Sequence, residues 1–308
     1  MPRTTTPQWP AAPEHAVTRI DRLLAAGRTI SFEFFPPKTD DGEAALRRTL
    51  NELEPLQPSF VSITYGAGGS TRERTHRLVV DLLQHTSMPP MAHLTAVSHT
   101  REELTAILTR YLDAGVHNIL ALRGDPPRDA EDVFFELDHA WQLVELARQV
   151  GGDTFSIGVA AHPAGHPTAP DLATDRRHLA AKLAVADFAV TQFFFAAEEY
   201  ERLVDDLAAL GCHAPVLPGI MPITNIRQIQ RFAELSGTEV PSALAERFVA
   251  LGDDEVAVRQ LGIEVASELC RDLLDAGAPG LHFYTLNRST ATREIHANLG
   301  LDRRRTSA

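Results

Sequence analysis

Short apolar runs alternate with longer amphipathic stretches along most of the chain, and this alternation constrains the fold more than any other feature. The runs recur at intervals of about 30 residues, the length of one βα unit. They are Ile30–Phe35, Phe60–Tyr65, Met91–Val97, Asn118–Arg123, Phe155–Ala161, Phe188–Phe195, Pro215–Met221 and Leu281–Leu286. Strands that alternate with helices form a parallel sheet, and eight such units predict a closed (β/α)8 barrel.

The stretches between these strands have apolar residues at spacings of three and four, as helices covering a barrel require. They are Glu43–Leu53, Arg72–Gln84, Arg101–Ala114, Glu136–Val150, Asp175–Ala184, Glu198–Leu210 and Asn225–Leu235. Thr71, Thr100 and Thr224 are suitable N-caps. The last crossover is longer, and Pro241–Leu251 and Asp253–Ala276 predict two further helices. The predicted class is α/β: a single TIM barrel with extra helices before its eighth strand.

Nothing in the 308 residues divides the chain, since no Ser/Gly linker or block of charge interrupts it. We predict a flexible N-terminal arm at residues 1–16, because Met1–Glu14 is rich in Pro and Thr, and one catalytic barrel at residues 17–308. The arm has no apolar signal region, and no later stretch reaches the roughly 18 apolar residues of a membrane span.

The formal net charge of −12 disfavours nucleic acids and anionic membranes as partners, because both favour clustered Lys and Arg. The two cysteines, Cys212 and Cys270, lie apart and lack metal-ligand spacing, so neither a disulfide scaffold nor a zinc site is expected. We therefore expect a cytoplasmic protein. The sequence leaves open whether it forms a homo-oligomer.

Glu33 lies within the strand-like run Thr29–Pro37 and is flanked by phenylalanines. Side chains alternate along a strand, so Glu33 shares a face with Ser31, while Phe32 and Phe34 take the other face. If the aromatic face meets the helices, the carboxylate points into the barrel. A buried Glu satisfied by an Arg is the competing interpretation.

Polar side chains also lie on the inward face or at the carboxyl end of nearly every predicted strand. They are Glu33, Thr64, His93, Arg123, Asp125, His162, Gln192 and Arg288. The active site of a (β/α)8 barrel is built at this rim, so the pattern predicts an enzyme.

Three short motifs each allow two interpretations. Tyr65–Thr71 contains a Gly-rich turn before a helix, which suits either a phosphate cradle or a simple tight turn. It lacks the third glycine of a Rossmann fingerprint, and the chain has no P-loop. Arg123 and Asp125 flank a glycine and suit either a site or an ion pair. His162 and His166 suit hydrogen bonding better than metal binding, and we predict no metal.

Seven motifs in order, taken together, resemble those of the bacterial methylenetetrahydrofolate reductases. They are Ser31-Phe-Glu-Phe-Phe-Pro-Pro-Lys38, Thr64-Tyr-Gly-Ala-Gly-Gly69, His93-Leu-Thr95, Ala121-Leu-Arg-Gly-Asp125, Thr191-Gln-Phe-Phe-Phe195, Pro218-Gly-Ile-Met-Pro222 and His282-Phe-Tyr-Thr-Leu-Asn-Arg288. The match runs from about Thr29 to Gly300. The resemblance implies a barrel that carries FAD, takes hydride from NADH or NADPH, and reduces 5,10-methylenetetrahydrofolate to 5-methyltetrahydrofolate.

The resemblance also implies roles for individual residues. Glu33 matches the general acid that opens the folate ring, and its phenylalanine neighbours predict a raised pKa. Asp125 matches an aspartate beside flavin and pterin that stabilises the developing cation. The matched folate contacts are Gln192, Gln228, Phe232, Leu286 and Arg288, and Gln192 also faces nicotinamide. The matched flavin-site positions are Thr64, Tyr65, Ala67, His93, Arg123, Gly124, Asp125, His162, His166, Ala169, Asp175, His178 and Lys182.

The chain departs from the enterobacterial pattern where that pattern has Tyr, Asn and Arg, and His162, His178 and Ala181 stand instead. Losing an Arg removes a bidentate phosphate partner, so weaker flavin binding is expected. Two alternatives remain. One is a flavin-independent reductase or another folate-dependent one-carbon enzyme, and the other is a non-catalytic folate or flavin binder.

Overall fold

The structure is a computed structural model, and it describes residues 19–66, 71–126, 133–225, 227 and 240–301. Within these residues the sheet has nine strand segments. They are β1 (Thr29–Phe34), β2 (Phe60–Ile63), β3 (Pro90–Thr95), β4 (Asn118–Leu122), β5 (Ser156–Ala161), β6 (Phe188–Thr191), β7 (Val216–Leu217), β8 (Gly219–Ile220) and β9 (Gly280–Tyr284). All neighbouring pairs are parallel.

The segments β7 and β8 are one barrel strand interrupted at Pro218. The order of neighbours is β7-β6-β5-β4-β3-β2-β1-β9-β8, so the two halves of this strand bind the two ends of the sheet. Pro218 has no N–H to donate, yet its carbonyl accepts from His282 N at 3.0 Å. The interrupted strand closes the barrel, which confirms the predicted α/β TIM-barrel class.

Helices cover the outside of the barrel. Those described are α1 (Ile20–Ala26), α2 (Asp40–Leu53), α3 (Arg72–His85), α4 (Arg101–Asp113), α5 (Ala140–Gly151), α6 (Leu172–Leu183), α7 (Ala197–Ala209), α8 (Ser242–Val249), α9 (Glu255–Asp275) and α10 (Thr290–Asn298). Short 3-10 turns occur at Glu54–Leu56 and Gly152–Thr154. The helices α8 and α9 are the two extra helices expected before the last strand. No helix in the described ranges is long and apolar enough to cross a membrane.

The predicted N-cap residues differ in whether they make a capping hydrogen bond. Thr100 caps α4 through a complete capping box with Glu103. Thr71 is the N-cap residue of α3 but makes no capping bond, because its hydroxyl binds Gly66 N at 2.8 Å. The predicted helix Asn225–Leu235 falls almost entirely outside the described residues, as does the predicted arm at 1–16.

The helices α1 and α10 were not predicted, and α1 closes the amino-terminal end of the barrel. Its Ile20 and Leu24 join a buried cluster that otherwise contains only strand residues, such as Phe60 and Phe188. Two free N–H groups at the start of α1 are bonded to strand residues, because Ile20 N donates to Asn118 Oδ1 at 2.9 Å and Asp21 N donates to Ser156 Oγ at 3.0 Å. With this end filled, the opening of the barrel lies at the carboxyl ends of the strands.

Candidate active site

Glu33 points into the barrel, as its place in β1 predicted. Phe32 and Phe34 are fully buried in the main core, where they pack with helix residues such as Leu46 and Leu50. Glu33 instead lines a cavity of about 340 Å³ at the open end of the barrel. Its side chain is 16% exposed. Strand alternation therefore places the carboxylate of Glu33 in this cavity.

Three neighbouring side chains converge on one oxygen of Glu33. Its Oε2 lies 3.3 Å from Ser62 Oγ, 3.3 Å from His93 Nε2 and 3.4 Å from His282 Nε2. His93 Nε2 has the distance of an ion pair but not the geometry of a hydrogen bond. Within the described residues every such contact uses Oε2, so Oε1 is the oxygen left for a ligand.

Strand register explains this convergence. β1 lies between β2 and β9, which places Glu33 opposite Ser62 and opposite Tyr284. Ser31 lies opposite His282, and Ser31 Oγ is 2.7 Å from His282 Nδ1. The imidazole of His282 is thus fixed between Ser31 and Glu33. No Arg contacts Glu33 in the described part of the chain, so the competing interpretation of a buried Glu–Arg pair is not supported.

The expected rise in the pKa of Glu33 is wrong for the ligand-free protein. Burial does act to raise this pKa, but the electrostatic interaction with His93 and the hydrogen bonds from His282 and Ser62 outweigh it, and the pKa is lowered. Burial also lowers the pKa of His93. Phenylalanines flank Glu33 in sequence, whereas imidazoles surround its carboxylate in space. Glu33 is therefore ionised at neutral pH.

The rest of the cavity wall is largely apolar. Its apolar members include Leu120, Leu122, Val190, Phe193 and Met221. Gln192 also lines it, and its Oε1 accepts from Phe193 N at 3.0 Å. Tyr284 closes one side, and its hydroxyl donates to Thr191 O at 2.5 Å. A cavity of this size and lining, with a few polar groups, is typical of small-molecule sites of about 300–1,000 Å³.

A cluster of basic residues lies at the end of β5, where His162 lines the cavity. Burial lowers the pKa of His162 to about 4, so this imidazole is neutral at pH 7. Burial also lowers the pKa of Lys182 to about 8, and its Nζ donates to Ala160 O at 2.8 Å. His166 is exposed, and its ring meets that of His162 edge-on. Asp175 accepts from His166 N at 3.2 Å and orders this loop.

The motif Arg123–Asp125 ends β4 without an internal ion pair in the described residues. Arg123 Nε instead donates to Asp138 O at 3.0 Å, and its guanidinium lies 4.2 Å from the ring centre of Phe135. Gly124 has φ +80, and an added Cβ would lie 2.6 Å from Val97 Cγ1. Position 124 therefore requires glycine. The next residue, Asp125, is exposed.

Leu286 and Arg288 follow β9 and line a second cavity of about 380 Å³, which shares the wall residue Tyr284 with the first. Thr64 lines the first cavity. Tyr65 is buried and its hydroxyl lies 3.1 Å from His99 Nε2. Ala169 N donates to His166 O at 2.9 Å, and His178 is exposed on α6. The remaining predicted site residues, Ala67, Gln228 and Phe232, lie outside the described residues.

The sequence analysis missed Ser62, His282 and Tyr284. His282 stands in one of the motifs that carry the family resemblance, and alternation along the last strand would have placed it on the inward face with Tyr284. Only the pairing of β1 with β9 shows that His282 meets Glu33. No group of three His, Cys, Asp or Glu side chains suited to a metal occurs in the described ranges.

Comparison with known proteins gives consistent results. The profile of the family described as methylenetetrahydrofolate reductase matches residues 19–300. A protein named 5,10-methylenetetrahydrofolate reductase from Pectobacterium carotovorum subsp. carotovorum is 38% identical, over 88% of this chain and 90% of its own length. The protein of that name from Escherichia coli (strain K12) is 36% identical over the same shares.

Two further comparisons extend this range. An Arabidopsis thaliana protein named methylenetetrahydrofolate reductase (NADH) 1 is 37% identical, over 92% of this chain and 50% of its own length. A solved structure from Clostridium thermocellum, described as binding two copies of 5-methyl-5,6,7,8-tetrahydrofolic acid, superposes with a TM-score of 0.60 at 12% identity. The superposition covers 91% of this chain and 96% of the Clostridium chain. At 12% identity it is evidence for a shared fold only.

Proposed function

The chain belongs to the methylenetetrahydrofolate reductase family and is an enzyme that reduces 5,10-methylenetetrahydrofolate, and from this premise we propose that Glu33 is its general acid. The observation that carries the proposal is the arrangement of the carboxylate, with Oε2 held by His93, His282 and Ser62 and with Oε1 left for the substrate.

The reaction needs both a proton and a hydride. Glu33 gives a proton to the bridging nitrogen of the folate, the bond from this nitrogen to the one-carbon unit breaks, and the five-membered ring opens. The remaining iminium accepts a hydride at the one-carbon unit, which becomes the methyl group of 5-methyltetrahydrofolate. A proton donor positioned within hydrogen-bond reach of the leaving nitrogen is worth about 10²- to 10⁴-fold in rate.

Glu33 must be protonated before it can act as the acid. Glu33 is ionised before the substrate binds, because the neighbouring groups lower its pKa. A substrate that fills the cavity excludes water, and this burial disfavours the carboxylate. Glu33 therefore takes up a proton from solvent as the folate enters, and this is the proton that it gives to the bridging nitrogen. Ser31 Oγ lies 2.7 Å from His282 Nδ1 and keeps this imidazole directed at Glu33.

Asp125 has the second catalytic role in this proposal. It is exposed at the end of β4, where its negative charge stabilises the positive charge on the iminium. Gln192 contacts both the pterin and the nicotinamide, and the other proposed folate contacts are Gln228, Phe232, Leu286 and Arg288. Leu286 and Arg288 flank the Glu33 cavity across Tyr284, so the folate would extend from one cavity to the other.

The residues beside the cavity fit an anionic dinucleotide such as FAD. Arg123 is exposed and Lys182 is charged at pH 7, so both suit a diphosphate. The exposed ring of His166 is available to contact the dinucleotide. His162 is neutral at pH 7 and adds no positive charge to the site. When bound, FAD supplies a carrier that accepts hydride from nicotinamide and donates it to folate. The other proposed flavin contacts are Thr64, Tyr65, Ala67, His93, Gly124, Asp125, Ala169, Asp175 and His178.

The second candidate is direct hydride transfer from the nicotinamide to the folate. It is favoured by the bond of Lys182 Nζ to Ala160 O and by the neutral His162, which leave few free cations for a diphosphate. NADH is the first donor to test, because the Arabidopsis relative has NADH in its name. NADPH is the alternative donor.

One experiment tests the function and separates the two routes. The protein is purified after growth with ample riboflavin, its visible spectrum is recorded, and reduction of methylenetetrahydrofolate is followed with NADH or NADPH, with and without added FAD. Turnover that depends on FAD supports the flavin route, whereas turnover without flavin supports direct transfer. Folate binding without any turnover would refute the proposed catalytic role of Glu33.

A further inference from the structure

The turn after β9 has an unusual backbone. Leu286 and Asn287 are consecutive residues with φ values of +51 and +57, and neither is glycine. Asn tolerates the left-handed region, but Leu rarely adopts it. Such strain persists only where the surrounding structure imposes it, and it often marks a functional site. The strained pair stands next to Arg288 at the edge of the proposed folate site.

Asn287 holds this turn in place through bonds to the end of β1. Its Oδ1 accepts from Phe35 N at 3.0 Å, and its Nδ2 donates to Phe35 O at 2.8 Å. The carbonyl of Asn287 accepts from Thr49 Oγ1 at 3.0 Å. One side chain thus satisfies both backbone polar groups of Phe35 and continues the pairing of β1 with β9 beyond the last paired strand residues.

The backbone of Glu33 is held by the same turn. Thr285 Oγ1 donates to Glu33 O at 2.6 Å, and Asn287 N donates to Thr285 Oγ1 at 3.2 Å. The chain is therefore tied to the turn at Glu33 and again at Phe35. The carboxylate that would protonate the folate and the residues that would bind it, Leu286 and Arg288, belong to one hydrogen-bonded unit.

We propose that Asn287 is a positioning residue, which fixes the folate-binding turn in register with Glu33 so that the acid meets the bridging nitrogen. This inference rests on the proposed roles of Glu33, Leu286 and Arg288. Asn287 needs no contact with the substrate. Its side chain sets the distance between the acid and the bound folate, and a misplacement of about 1 Å can cost about 10²-fold in rate.

Asn287→Gly separates this role from simple backbone support. Glycine adopts φ +57 readily, so the turn loses strain while it loses both bonds to Phe35. We expect the melting temperature to stay within a few degrees of wild type. The KM for methylenetetrahydrofolate should rise and kcat should fall, by about 10-fold or more in kcat/KM. The Kd of NADH, measured by fluorescence titration, should not change.

Gln57→Gly is the matched control. Gln57 also has a positive φ, +51, and it is exposed in the loop before β2, at the opposite end of that strand from the cavity. Its replacement relieves the same kind of strain and should leave KM, kcat and Kd unchanged. Asn287→Asp is the second variant, because it keeps an acceptor for Phe35 N but loses the donor to Phe35 O. Its second carboxylate oxygen would face Phe35 O without a proton between them, so kcat/KM for the folate should fall in this variant as well.

Wild-type kcat and KM in Asn287→Gly would overturn the proposal. The proposal would also be overturned if both Asn287 variants lost NADH affinity and thermal stability to the same extent as they lost folate turnover. If the wild-type protein itself fails to reduce the folate, the proposed function is refuted. If the wild type is active and the variant is unimpaired, only the role of Asn287 is refuted.

Discussion

Replacing Glu33 with Gln tests the proposed acid directly. The amide keeps the volume of the side chain and can still accept one hydrogen bond, but it cannot deliver a proton. Reduction of methylenetetrahydrofolate should fall by about 10²- to 10⁴-fold, which corresponds to about 2.7–5.4 kcal/mol in the activation barrier at 1.36 kcal/mol per tenfold. Binding of NADH involves no proton on the folate and should be unchanged.

The expected effect on stability follows from the contacts of Oε2. They measure 3.3, 3.3 and 3.4 Å, and these distances are long for bonds to a charged group. Such bonds contribute about 1.5–3 kcal/mol each when well formed. Gln keeps part of the set, so we expect a net loss of about 1–3 kcal/mol at pH 7. An unpaired buried Arg would cost about 3–5 kcal/mol, but no Arg contacts Glu33 in the described residues.

The stability difference should depend on pH with a defined sign. The pKa of Glu33 is lowered in the folded protein, so its carboxylate stabilises the fold above the unfolded pKa of a glutamate. This contribution is lost as pH falls through the folded pKa. Urea unfolding of wild type and Glu33→Gln should therefore show the full difference at pH 7 and a smaller difference under acidic conditions.

The matched control is Glu43→Gln, because the side chain of Glu43 on α2 is 45% exposed and forms a loose ion pair, at 3.7 Å, with the exposed Arg77. It should change neither stability nor turnover measurably. Steady-state kinetics, NADH titration and urea unfolding on the three proteins complete the test. A Glu33→Gln protein that unfolds normally and reduces the folate at the wild-type rate would show that Glu33 is not the acid.

Two further predictions concern the charges around the cavity. Asp125→Asn removes a negative charge with little change in shape, so stopped-flow absorbance should show slower hydride transfer to the folate with unchanged NADH affinity. Equal losses in both would indicate a structural role instead. The affinity for FAD should fall between pH 7 and 9, because Lys182 loses its charge with a pKa of about 8. Titrations that show the same pH dependence in Lys182→Met would contradict this assignment.

Local sequence patterns determined much of the architecture. Strand alternation and helical spacing depend on neighbours along the chain, so the eight barrel strands, the helices α2 to α7 and the two extra helices α8 and α9 could be predicted. Alternation within β1 also placed Glu33 on the inward face, away from Phe32 and Phe34. The helix α1 escaped prediction because it is short, and its stability comes from packing Ile20 and Leu24 against strand residues distant in sequence.

The chemistry of the site was decided by the tertiary structure. His93, His282 and Ser62 meet Glu33 only because barrel closure brings β2, β3 and β9 to β1, and this meeting reverses the pKa shift that the neighbouring phenylalanines had suggested. The left-handed turn at Leu286 and Asn287 carries no glycine to signal it, since bonds to Phe35 and Thr49 impose it. Sequence alone records which residues are neighbours along the chain, whereas charge and strain at a site depend on which residues are neighbours in space.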